Sequence, residues 1–181
     1  MIKIASLFLG LILANGVWLE DNVNWNNPNA AIPTAPEIEG GGNLANCLDN
    51  NRPAIFPEDE LLEAAGWTLT GASQVFGATK VITAMADADG MCRPSYYNVF
   101  VFTDGQFSGT LSPVEMYPRT DGSLVSVDLY REGYLAATFN RYSETDALCC
   151  PSGSTRVSYE VKMEDNYPVL VPKLPGDNLI Q

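Results

Sequence analysis

The sequence predicts an α+β domain: mainly an antiparallel β-sheet meander, with one short N-terminal helix packed on it and two disulfides. Three observations carry that reading. Tight-turn pairs recur between short apolar runs, at Asp104-Gly105, Asp121-Gly122, Glu132-Gly133 and Asp165-Asn166. Such pairs supply the positive φ angles that hairpin turns require. The stretch TRVSYEVKM, 155–163, alternates apolar and polar residues, the period of a half-buried strand. Four cysteines make an even set, which in an exported chain reads as a disulfide framework.

The elements follow in chain order. Residues 1–16 have the form of a secretory signal peptide: Lys3, an apolar run from Ile4 to Ala14, and the small-x-small triplet Ala14-Asn15-Gly16. The run is too short to span a bilayer. Its removal changes the net charge from −12 to −12 − 1 = −13, since it carries Lys3 and no acid. Residues 17–46 are rich in Asn, Pro and Gly and show no periodicity, so they read as a flexible linker. Trp18 and Trp25 fall inside it, with no specific role expected. The folded domain spans 47–172, and 173–181 is a C-terminal tail.

Within the domain, PEDELLEAAG, 57–66, reads as a short helix. Pro57 suits the first helical position, Glu58, Asp59 and Glu60 suit the positive N-terminus, and Gly66 ends it. TKVITAMA, 79–86, is strand-like, with a turn at Asp87–Gly90. YYNVFVF, 96–102, is almost wholly apolar at its end, as a central strand covered on both faces would be. QFSGTL, SLVSVDLY, YLAATFNRY and YPVLVP complete the strands. A sheet with one apolar face needs a cover, and the helix at 57–66 is the expected one.

Adjacent Cα atoms lie about 3.8 Å apart, closer than the roughly 4.4–6.8 Å of ordinary disulfides. Successive side chains of an extended chain point to opposite sides. Cys149 and Cys150 are therefore each expected to bond a different partner, Cys47 with one and Cys92 with the other, in an order the sequence leaves open. Zinc is not expected, because no Cys-x-x-Cys-like spacing is present.

Charge and composition remove several functions. A net charge of −12 opposes binding to nucleic acid and to anionic membrane surfaces. The chain has no histidine, so Ser-His-Asp and Cys-His arrangements are excluded. No nucleophile elbow, P-loop or dinucleotide fingerprint occurs, and no cofactor is expected. DADG, 87–90, looks superficially like a calcium loop but lacks the rest of the EF-hand spacing, so it reads as a turn and no metal is assigned. MYPRTDG, 116–122, concentrates an aromatic, a proline and an arginine in one connection, and loops carry function disproportionately. Tyr117, Arg119, Asp121 and Arg141 are the candidate binding residues; none is assigned as catalytic.

Gly109-Thr110-Leu111-Ser112-Pro113, Pro118-Arg119-Thr120-Asp121-Gly122, and Arg141-Tyr142 ahead of Asp146-Ala147-Leu148-Cys149-Cys150-Pro151-Ser152 resemble the LppP/LprE lipoprotein family of bacterial envelope proteins. The resemblance covers about residues 47–171. It implies an extracytoplasmic domain, usually held by an N-terminal lipid, and brings no catalytic residues. The sequence departs from that pattern: its first cysteine is Cys47, far beyond the apolar run, so the expectation is a periplasmic or secreted chain without a lipid anchor. The expected function is that of a non-catalytic envelope module binding an envelope protein or a small ligand. A carboxylate-dependent glycan hydrolase and an inhibitor of an envelope enzyme are the alternatives. No membrane insertion of the mature domain is expected, and the oligomeric state is not legible.

Overall fold

The structure is a computed structural model that describes residues 16–173 apart from 22, 40 and 41. Residues 1–15 of the expected signal and 174–181 of the expected tail lie outside the described residues. Among the described residues, three short 3-10 helices (Val17–Glu20, Leu44–Asn46 and Leu48–Asn50) and one α-helix, α1 (Pro57–Ala64), precede eight strands. These are β1 (Thr68–Phe76), β2 (Thr79–Ala88), β3 (Pro94–Thr103), β4 (Gln106–Thr110), β5 (Leu124–Arg131), β6 (Tyr134–Arg141), β7 (Gly153–Glu164) and β8 (Tyr167–Lys173).

The strands form two antiparallel four-stranded sheets, in the orders β1-β2-β3-β4 and β5-β6-β7-β8. Each sheet is a meander, but the single covered sheet expected from the sequence is divided in two. The division has a packing reason. Val81, Met85, Val99 and Val101 face one side of the first sheet and Ile82, Ala84, Phe100 and Phe102 the other, all buried. An eight-residue helix covers only one side. Leu62 of α1, with Trp67 and Leu69, packs on the second set, and Trp67 meets Phe100 edge-on at 5.0 Å. The second sheet covers the first set with Leu135, Ala137, Phe139, Val157, Tyr159 and Leu170. Full burial of each Leu, Val or Phe among them contributes roughly 1.5–3 kcal/mol.

Three of the four turn pairs join paired strands; Asp121-Gly122 instead lies in the connection between the two sheets. Asp104 and Gly105 have φ of 51° and 77°, and Asp165 and Asn166 of 50° and 68°, the mirror-image turn that matches strand twist. The alternation in β7 holds for Val157 and Tyr159, which are buried, and ends at Met163, which is exposed because the β7–β8 hairpin runs past the core. In β5 only Leu129 is buried, and Val125 faces solvent.

Both places where the sheets meet are closed by side-chain amides. Gln74 of β1 donates from Nε2 to Val127 O at 2.8 Å and accepts the Leu129 N–H at 2.7 Å. Asn26 donates from Nδ2 to Thr110 O (3.1 Å) and Leu170 O (3.0 Å), and accepts the Thr110 N–H (2.9 Å). Each amide does what a neighbouring strand would do for an open edge. Gly109 is needed at the second seam, because a Cβ there would run into Asn26.

Asn26 belongs to the segment expected to be a flexible linker, and that expectation is corrected. Trp18 and Leu19 are buried in the core between the sheets. Trp18 packs edge-on against Phe139 at 5.0 Å and Trp25 at 5.1 Å, and Trp25 Nε1 donates to Thr110 O at 3.0 Å. Further along, Pro33 O accepts Trp67 Nε1 at 2.7 Å and the Ala35 N–H reaches Ala65 O at 2.9 Å. Composition gave no signal because the segment has no strand or α-helix, only 3-10 turns at Val17–Glu20 and Leu44–Asn46, and docks through scattered side chains, chiefly two tryptophans and one asparagine.

Candidate functional site

The β4–β5 connection carries Tyr117, Arg119 and Asp121, and β6 ends at Arg141. The structure splits these four residues into two groups. Asp121 and Arg141 make an anchor: Arg141 Nε donates to Asp121 Oδ1 at 3.0 Å and Nη2 to Glu20 Oε1 at 2.7 Å, while Asp121 Oδ1 also accepts the Tyr142 N–H at 2.8 Å. This ties the N-terminal segment to the second sheet. Tyr117 stands edge-on to Tyr96 at 4.4 Å, and burial, reinforced by Tyr96, holds its phenol well above the usual range.

Arg119 takes the other direction. It lines a cleft of about 360 Å³ with Arg93, Tyr97, Pro118, Leu124 and Asn140. Clefts of roughly 300–1,000 Å³ with a few placed polar groups are the ordinary form of small-ligand sites. Arg93 is paired with Asp89, its Nε donating to Asp89 Oδ2 at 2.7 Å. Arg119 makes no ion pair among the described residues; its Nη2 lies 3.9 Å from Met91 Sδ. The cleft wall includes Tyr97, whose buried hydroxyl accepts the Leu124 N–H at 2.9 Å and is pushed up to about 12 by that burial. Three non-glycine residues at or next to the cleft have positive φ: Cys92 (59°), Tyr96 (48°) and Arg119 (61°). Such conformations are costly for ordinary side chains and cluster at functional sites. Arg93 and Tyr97 were not singled out from the sequence, where each looks like a routine turn or strand residue.

A larger cavity, about 530 Å³, opens beside Ile38, Leu44, Leu48 and Asp87. Its one acid, Asp87, already accepts the Leu44 N–H at 3.1 Å.

Several of the acids have structural partners. Glu58 binds Lys80 Nζ at 2.6 Å. Asp59 receives both Arg52 Nη atoms (2.8 and 2.6 Å) and the Ile55 and Phe56 N–H groups. Burial alone would raise Asp59, but these donors hold it below the carboxylate range. In the DADG turn, Asp89 is likewise lowered against its desolvation by Arg93 and by the Met91 N–H. Backbone donation from Ser143 lowers Asp146, and Lys173 with Tyr134 lowers Glu160. No group of three or more metal-ligating side chains gathers among the described residues.

The cysteine expectation is overturned. Cys47 bonds Cys92, with Cα atoms 5.3 Å apart, and Cys149 bonds Cys150, with Cα atoms 3.8 Å apart. The expectation placed the doublet in an extended strand. It lies instead in a tight turn of the β6–β7 connection, where the Cys150 N–H donates to Ala147 O at 2.8 Å. Side chains of a turn do not alternate as those of a strand do. Cys47 and Cys92 meet elsewhere, where the segment before α1 touches the β2–β3 connection.

The fold and its bridges define a two-sheet β domain with one covering helix. Residues 77–163, a span that runs from β2 into β7, match the family model described as LppP/LprE lipoprotein. The match takes in Cys92, Arg119, Arg141 and the cysteine doublet, and leaves out Cys47, α1, β1 and β8. Neither the curated proteins nor the solved structures returned a match. No helix among the described residues is long and apolar enough to cross a membrane.

Proposed function

We propose that this chain is an exported, non-catalytic envelope module that binds a small anionic ligand in the Arg119 cleft. Arg119, which lines that cleft and has no ion pair among the described residues, in a chain of net charge −12, is the observation that carries the reading. An arginine fork suits a carboxylate or phosphate group, which it meets with two parallel hydrogen bonds. The apolar and hydroxyl-bearing wall formed by Tyr97, Leu124, Pro118 and Asn140 suits the body of a small organic acid. Export is supported by the signal-like residues 1–16, by the absence of free thiols among the cysteines, and by the match of residues 77–163 to a lipoprotein family model. The glycan-hydrolase alternative is less favoured. It needs a carboxyl held protonated near neutral pH, and the perturbed carboxylates Asp59, Asp89, Asp146 and Glu160 are all shifted downward.

Titration with citrate and, separately, inorganic phosphate, followed by amide NMR shifts, tests the reading. Shifts grouped at Arg93, Tyr97, Arg119 and Leu124 are expected, and Arg119→Gln should abolish them with little change in Tm. Shifts scattered over the surface, or unchanged in the variant, would refute it.

A further inference from the structure

The two cysteine pairs differ in access. Cys149 and Cys150 are both exposed, as are Ala147 and Leu148 beside them. Cys47 is only 4 % exposed and belongs to the core between the sheets, with Cys92 packed against it. A disulfide opens when a thiolate reaches one of its sulfurs, so access sets the rate. Adjacency adds a second difference. It holds the Cys149 and Cys150 Cα atoms 3.8 Å apart, closer than the roughly 4.4–6.8 Å at which bridges rest.

The turn that carries the pair is held by other bonds. Asp146 Oδ2 accepts the Ser143 and Ser152 N–H groups, each at 2.8 Å. Tyr142 donates its hydroxyl to Leu148 O at 3.1 Å. These contacts do not pass through the sulfurs, so opening the bridge exposes no core and leaves the two thiols side by side, ready to close again.

We infer that Cys149–Cys150 is a reversible redox site that exchanges with an external thiol, while Cys47–Cys92 is structural. In the exchange, a thiolate attacks one sulfur of the pair and the Cys149–Cys150 bond breaks. A mixed disulfide forms on the attacked cysteine, and its neighbour leaves as a thiolate that takes up a proton. A second molecule of thiol displaces the attacked cysteine. The protein gains two electrons and two protons, and two thiols become one disulfide.

Treating the full chain with graded dithiothreitol, quenching in acid, alkylating and mapping the peptides tests this. Cys149 and Cys150 should be alkylated at a reductant concentration at least tenfold below that which opens Cys47–Cys92. The near-UV circular dichroism should be unchanged at that point, and glutathione disulfide should restore the bridge. A Cys149→Ser/Cys150→Ser variant should consume no reductant at the lower concentration. Simultaneous opening of both pairs, earlier opening of Cys47–Cys92, loss of the near-UV signal with the first pair, or unchanged consumption in the variant would each overturn it.

Discussion

Cys47–Cys92 and Cys149–Cys150 are the same covalent bond in two settings. The first has a sequence separation of 45 and fastens the segment before α1 to the β2–β3 connection. In the chain-entropy model, closing such a loop removes about 4 kcal/mol of freedom from the unfolded chain. The second joins neighbours on an exposed turn, where the unfolded chain has almost no loop left to lose. The difference shows that a bridge's contribution depends on the loop it closes and on what packs around it. One pair holds the N-terminal segment to the domain; the other is free to react without unfolding anything.

The largest expected effect separates the two pairs. Replacing Cys47 and Cys92 by Ser should cost about 4 kcal/mol, lowering Tm by about 8–16 °C in a chain of this size. A loss below 1 kcal/mol would erase the contrast.

Buried tyrosines give the next effect, and it too belongs to the interior that the long bridge adjoins. Burial raises Tyr97 to about 12, and Tyr159 shifts in the same direction. The folded state therefore keeps a phenolic proton that the unfolded chain gives up near pH 10. Stability from this source is complete below about pH 10 and is lost as pH rises towards 12. The Tyr97 part amounts to about 3 kcal/mol. Urea unfolding at stepped pH should show the decline, and Tyr97→Phe should flatten it.

Asn26 sharpens the comparison by testing a non-covalent fastening of the same segment. Asn26→Ala removes the side-chain partner of the Thr110 N–H and of Leu170 O, while Thr110 O keeps Trp25 Nε1, at a cost of about 2–3 kcal/mol. The urea midpoint should fall with little change in slope. The smallest effect is expected from Cys149→Ser/Cys150→Ser, within about 0.5 kcal/mol of the parent in the same assay.

Much of the strand content was legible because local chemistry fixes it. Asp104-Gly105 and Asp165-Asn166 need positive φ, and Pro57 with its following acids starts a helix. YYNVFVF announced a strand buried on both faces, yet what covered the second face lay far away in sequence. β1 went unseen because Gly71, with φ 65°, and a register shift between Thr70 and Gln74 break its alternation. The docking of Trp18 and Asn26 was hidden in a segment with no periodicity. The pairing of the cysteines depended on whether Cys149 and Cys150 lie in a strand or a turn, which spacing does not report. Of the candidate binding residues, Arg119 was legible as an arginine in a busy loop, whereas Asp121 and Arg141 pair with each other in an anchor.

Peptide mapping of the unreduced full chain tests the central contrast most directly. The account predicts one cross-linked peptide pair joining Cys47 to Cys92, and one peptide that holds Cys149 and Cys150 two mass units below its dithiol form. A peptide joining either Cys47 or Cys92 to the doublet would contradict it.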